Sequence, residues 1–178
     1  MLKIMTMAVR EIKTYPDPVL RNKTARVETI DDTIQRLIED MVETMHAAPG
    51  VGLAANQVGV PLQLAVIDLS TREEQESRHP LLVLINPEIL STQGSVIAEE
   101  GCLSLPEYAE KIKRAAKVTV RAQDRRGKPF KIEADGLMAK ALQHEIDHLN
   151  GLLLIDRLST LKKDIFKRKY RKAALQKA

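Results

Sequence analysis

Gln143-His144-Glu145-Ile146-Asp147-His148 closes a segment, Gly136 to Leu149, in which Leu137, Met138, Leu142, Ile146 and Leu149 recur at helical spacing. Residues four apart share one face of a helix, so His144 and His148 direct two imidazoles at one point. Glu145, one step round, reaches a water held there. The plain alternative, two surface histidines on a polar helix, fits badly with so apolar a segment. A helix of this kind has to be wrapped by other elements.

The surrounding sequence offers such elements. Thr29 to Ala48 reads as a long helix, capped by Thr29, Asp31 or Asp32, with Ile34, Leu37, Ile38, Met41, Val42 and Met45 as its apolar stripe and Pro49-Gly50 as its stop. Leu62–Leu69, Leu81–Ile85, Val96–Leu105, Lys117–Gln123 and Phe130–Ala134 read as strands, the last two joined by a turn at Asp124–Pro129. Tyr15-Pro16-Asp17-Pro18 reads as an extended turn, and Ser70–Pro80 as an exposed loop. Leu161–Gln176 is expected to form a basic helix packed by Leu161, Ile165 and Leu175. The expected class is α+β: small antiparallel sheets packed around a central metal-binding helix, with an N-terminal and a C-terminal helix, in one domain over residues 1–178. Residues 1–7 are set apart as an N-terminal extension or a misassigned start, and 160–178 as the basic C-terminal helix.

Composition narrows the function. With 44% hydrophobic and 29% charged residues in 178, the chain can bury a core. Aromatics are 3% and Trp is absent, which argues against stacking platforms for single-stranded nucleic acid. The single cysteine, Cys102, forbids an internal disulfide. No signal-peptide core opens the chain and no apolar run reaches membrane-spanning length. The cytoplasm is therefore expected, with no membrane and no specific DNA partner. Residues 161–178 carry eight Lys/Arg against Asp164, a net +7, so the overall +4 leaves the body at −3.

A catalytic metal site usually has three protein ligands and one open position. The zinc-protease pattern with a third His six residues after the second places Leu154 there, and no Glu follows Glu145. Upstream, Glu99-Glu100-Gly101-Cys102-Leu103-Ser104 offers a thiolate, a strong ligand for zinc or ferrous iron, with Gly101 permitting close backbone approach. A lone Cys is more often an inert small hydrophobe, yet two His ligands here want a third.

Gly50-Val51-Gly52-Leu53-Ala54-Ala55-Asn56-Gln57, Glu100-Gly101-Cys102-Leu103-Ser104 and Gln143-His144-Glu145-Ile146-Asp147-His148 together resemble, in order and spacing, the three signature motifs of peptide deformylases. The resemblance runs from about Ala8 to Leu158. It implies a metal held by Cys102, His144 and His148, with Fe2+ as the physiological ion and Zn2+, Ni2+ or Co2+ as substitutes. It implies Glu145 as general acid/base and Gln57 with the Leu103 N–H as oxyanion donors. Val51 and Gly52 would hold the substrate backbone, and Val51, Leu137, Ala141 and His144 would wall a methionine pocket. Lys140 stands where some members have an aliphatic residue; either its stem lines the pocket edge or it is a plain surface lysine. Ala109 stands where some have Arg. Gly50, Glu100 and Gln143 would support the ligands from behind. His46 and His79, outside the motifs, read as exposed and uninvolved.

The activity implied is removal of the formyl group from nascent formyl-Met polypeptides, with formate released by a metal-activated water and Glu145. The basic tail suggests an approach to the ribosome; a solvated amphipathic helix is the simpler reading. Two other functions compete. A peptidase would cleave unformylated peptides. A non-catalytic metal module would need a fourth protein ligand, and Asp147 lies off the His face.

Overall fold

A computed structural model describes residues 8–70 and 80–176. His79 and most of the expected Ser70–Pro80 loop lie outside the described residues, as do residues 1–7. The order is α1 (Asp32–Ala47), β1 (Gly52–Ala54), β2 (Leu64–Ile67), β3 (Leu82–Gln93), β4 (Val96–Cys102), β5 (Leu105–Arg114), β6 (Lys117–Gln123), β7 (Pro129–Asp135), α2 (Gly136–Leu149) and α3 (Thr160–Gln176), with short 3-10 turns at Pro18–Arg21, Ala55–Val58 and Leu154–Arg157.

Asp31 decides where α1 begins: its carboxylate accepts the Ile34 N–H at 3.0 Å. Thr29 and Asp32 are not the cap. Leu37, Ile38, Met41 and Met45 are almost wholly buried, each contributing about 1.5–3 kcal/mol. They cover one face of an antiparallel sheet of order β1-β2-β3-β6-β7. Side chains of a strand alternate between faces. Leu64 and Val66 of β2 accordingly join Leu53, Val83 and Ile85 under α1, while Ala65 and Ile67 join Leu84, Val118 and Val120 against α2. α2 buries ten residues, far more than a one-sided amphipathic helix needs.

β1 is an addition to the expected strands, and two other stretches differ from the sequence expectation. β3 runs on to Gln93 through Asn86-Pro87, which resembles a stop. Asn86 adopts a left-handed φ of 52°, and the β3–β6 register shifts around it. Its side chain bonds both the N–H and C=O of Val27. The break is a bulge, the one interior place where a strand tolerates Pro. The stretch expected as one strand to Leu105 ends instead at Cys102, and β5 turns back antiparallel to form a separate two-stranded sheet. β5 escaped notice because Pro106 and its charged residues mask the pattern of buried Leu105, Ile112 and Arg114. Strands β6 and β7 and the turn between them form as expected, with Asp124 Oδ1 accepting the Arg126 and Lys128 N–H groups.

The C-terminal helix forms, but not with the expected packing. Leu161, Ile165 and Leu175 are 70%, 43% and 77% exposed. Phe166 is the buried residue, set among the rings of Tyr15, Tyr108 and Tyr170.

The end of α2 is closed by a glycine. The Leu152 N–H reaches the Asp147 carbonyl, and the Gly151 N–H reaches that of His148, the paired closure of a left-handed helix end. Gly151 has φ +75°, and a Cβ there would run into the Arg21 carbonyl. Gly151→Ala is therefore expected to cost about 2–4 kcal/mol, from left-handed strain plus backbone displacement. Gly127→Ala, left-handed at a half-buried turn where a Cβ would meet only the end of the Ile30 side chain at 3.3 Å, should cost roughly 1–2 kcal/mol. Thermal unfolding of the two variants checks the difference.

Candidate metal centre and cleft

His144, Glu145 and His148 project from α2, and Cys102 ends β4 beside them. Cys102 Sγ lies 3.3 Å from His148 Nε2, and the two Nε2 atoms are 3.2 Å apart. All three ligand atoms fall within 4.8 Å of one another. Three electron-pair donors at this separation repel unless a proton or a cation stands among them. The donor set, one thiolate and two imidazoles, suits a borderline-soft divalent ion such as zinc or ferrous iron. Each ring uses Nε2 at the centre. His144 Nδ1 is bonded to Glu100 Oε2 at 3.2 Å, which frees its Nε2 to face the ligands.

The surrounding charges are strongly coupled. Burial opposes charge on both rings. In His144 the hydrogen bonds of Cys102 and Glu100 overcome burial, and its pKa stands well above the usual histidine value. In His148 burial and the neighbouring His144 push it well below. Burial also raises Glu145 to about 7, against the pull of His144 and Arg114. Glu145 is 4% exposed, and its Oε2 has no hydrogen-bond partner among the described residues.

Behind Glu100 stands Arg114, whose Nε and Nη2 grip both carboxylate oxygens at 2.9 Å and whose Nη1 reaches Asp147 at 2.5 Å. Burial works against the Glu100 charge, but His144 and Arg114 outweigh it and hold its pKa to about 2. Asp147 thus faces away from the ligands, as its helical position implies.

The 3-10 turn Ala55–Val58 sets the opposite wall. Gln57 Oε1 accepts the Ala54 N–H at 2.9 Å, which turns Nε2 toward Ser104 Oγ at 3.0 Å and Cys102 Sγ at 3.8 Å. Asn56, within the same turn, donates to the His148 carbonyl at 2.6 Å.

A cleft of about 1220 Å³ opens onto this centre, lined by Gly50, Val51 and Gly52 on one side, Leu137, Lys140, Ala141, His144 and Glu145 from α2, and Glu99–Ala109 on the far wall. β1 is the last strand of its sheet and pairs only with β2, so its other edge offers free backbone groups beside the cleft. A Cβ on Gly52 would overlap the Glu145 carboxylate, and one on Gly50 would lie 2.7 Å from Leu103 Cδ1. Gly50 also ends α1 through its N–H to the Met45 carbonyl.

Some expected residues stand elsewhere in role. Gln143 is buried rather than on an exposed face and bonds Ala115 N–H, Ala115 C=O and Ala139 C=O; it braces α2 against the β5–β6 connection and touches no ligand atom. A Cβ on Gly101 would meet Tyr108 O only at 3.6 Å, so close approach is not what places a glycine there. His46 is exposed, as expected, and bonds Asp68 at 2.8 Å. Arg114 and Asn56 were missed. Asn56 lies inside the first motif, beside Gln57, and that adjacency was a usable signal. Arg114 ends a run of solvated-looking basic residues, Lys111-Ile112-Lys113-Arg114, and carried none.

Comparison with known proteins agrees with this geometry. The family model described as polypeptide deformylase matches residues 9–164. A peptide deformylase from Syntrophobacter fumaroxidans is 58% identical, over 93% of this chain and 96% of that protein. Among solved structures, a peptide deformylase from Legionella pneumophila superposes with a TM-score of 0.85 at 48% identity, covering 96% of this chain and 98% of the other. One from Ehrlichia chaffeensis in complex with actinonin gives 0.86 at 41% identity, covering 94% and 98%. The chain belongs to the polypeptide deformylase family, metal-dependent hydrolases that remove the formyl group from N-formylmethionyl peptides.

Proposed function

We propose that Cys102, His144 and His148 hold the catalytic divalent ion, that Glu145 is the general acid/base, and that Gln57 and the Leu103 N–H receive the developing negative charge. The observation that carries this is the convergence of three ligand atoms beside a buried carboxylate with one unpartnered oxygen. An ion in that position would supply Lewis acidity and acidify a water.

The protein residues then have separable tasks. Val51 and Gly52 align the peptide along the free edge of β1, as an added strand. Val51, Leu137, Ala141 and His144 enclose the methionine side chain, and the Lys140 stem borders that pocket with its amine toward solvent. Glu145, buried and with a pKa raised to about 7, accepts the proton of the attacking water as its oxygen bonds to the formyl carbon. The same carboxyl returns the proton to the nitrogen as the C–N bond breaks, leaving formate and a free amine. Gln57 Nε2 is pre-aimed by its own bond from Ala54; one such donor is typically worth roughly 100- to 1000-fold in rate. Glu100 keeps His144 turned toward the centre.

Fe2+ is the proposed physiological ion, with Zn2+, Ni2+ or Co2+ as substitutes, because membership of the family implies it; the Cys-His-His donor set suits zinc as well as ferrous iron. Residues 1–178 are proposed as one catalytic domain acting in the cytoplasm; a single cysteine supports that placement, and among the described residues no helix is long and apolar enough to cross a membrane. The basic α3, which turns Leu161 and Leu175 outward, is proposed to approach ribosomal RNA near emerging substrates.

Incubated anaerobically with formyl-Met-Ala-Ser, the iron-loaded protein should release formate. That release should stop on chelation and return with Fe2+; cleavage between residues of Met-Ala-Ser would instead favour a peptidase. Glu145→Gln should retain its metal, measured by elemental analysis, while turnover falls roughly 100- to 10,000-fold; undiminished turnover would remove Glu145 from its role. Ribosome cosedimentation should weaken steeply with added salt, and binding indifferent to salt would count against the α3 contact.

A further inference from the structure

We propose that Arg157, outside all three motifs, is a positioning residue for His144, acting through Asp147, Arg114 and Glu100. The inference deepens the metal reading above and rests on it. Arg157 belongs to the 3-10 turn that follows α2, and it grips Asp147 with two donors, Nη2 to Oδ1 at 2.5 Å and Nε to Oδ2 at 3.0 Å. Asp147 Oδ2 also takes the Arg114 Nη1 bond, Arg114 clamps Glu100, and Glu100 holds His144 Nδ1. Charges alternate along the line: guanidinium, carboxylate, guanidinium, carboxylate, imidazole.

Burial makes the line more than a surface network. Side-chain exposure is 44% at Arg157 but 10% at Asp147, 2% at Arg114 and 9% at Glu100. Arg114 uses Nε, Nη1 and Nη2 in these bonds, so any turn of Asp147 must move it. Asp147 Oδ1 has Arg157 as its one hydrogen-bond partner among the described residues. Removing Arg157 frees that carboxylate to rotate, and the low local dielectric leaves Arg114 to follow. Glu100 then loses its fixed angle to His144, and a ligand whose outer partner is loosened holds its metal less well. The rival is a purely structural role, in which Arg157 only ties the turn to α2.

The test uses Co2+-loaded protein, reading the cobalt–thiolate and d–d absorption bands and the rate of metal loss to a chelator. Arg157→Ala should shift the bands and speed metal loss several-fold, below the roughly 10- to 100-fold typical of removing a ligand's direct partner. Arg157→Lys, which keeps the charge but not the fork, should fall between. On a Glu100→Gln background, Arg157→Ala should add almost nothing, because the line is already cut. A lowered melting temperature with unchanged bands and unchanged metal loss would overturn the proposal, as would losses that multiply in the double variant. If the wild-type bands survive Cys102→Ser, the ligand assignment itself fails; intact wild-type behaviour with an indifferent Arg157→Ala overturns only the inference. Should Arg157→Ala not fold, the Lys variant supplies the same readings.

Discussion

Two imidazole nitrogens 3.2 Å apart, with a sulfur 3.3 Å from one of them, point their lone pairs at one place and repel unless a proton or a cation is shared among them. The protein holds these three donors together from several elements. α2 carries two of the donors and is packed against the five-stranded sheet, with α1 on that sheet's other face. Gly151 closes its last turn immediately after His148, so the end that bears a ligand does not fray. β4 brings the third donor, and the β4–β5 turn fixes where the sulfur points. An ion held by these donors would favour the folded state that assembles them.

The carboxylates about the centre divide by surroundings rather than by type. Glu100, clamped by a guanidinium, stays charged down to about pH 2. Glu145, buried close by without such a clamp, is raised to about 7. One acid is held as an anion and the other is brought near neutrality, and the difference is burial at Glu145 that no guanidinium fork offsets, against the His144 and Arg114 bonds at Glu100.

Helix α2 was readable to the residue because its apolar spacing and its ligand spacing are the same period, so two independent signals coincide. The β6–β7 hairpin was readable from its turn residues. What escaped shows how tertiary partners override local pattern. Asn86-Pro87 reads as a break until Val27 stands across from it. β5 shows no strand pattern of its own; its buried Leu105 and Ile112 are covered by Leu153–Ile155 of the C-terminal 3-10 turn and by Phe166 of α3. Leu161 and Ile165 read as packing residues, yet aromatic contact made Phe166 the anchor. The Cys102, His144 and His148 cluster was accessible through motif spacing, whereas Arg114 was not, because nothing local distinguishes a buried arginine from a solvated one.

The overlap between Gly52 and Glu145 has a consequence for how this cleft can diversify. Strand β1 and the Glu145 carboxylate occupy adjoining space with no room for a methyl group between them. That wall is closed to variation: any side chain introduced there displaces the acid. The outer part of the opposite wall, at the exposed Pro106 and Ala109, and the rim at Lys140 do not pack against that acid. Room for change in the cleft is therefore confined to those outer positions, because Glu100, Cys102 and Leu103 on the same wall are tied to the centre and to Gly50.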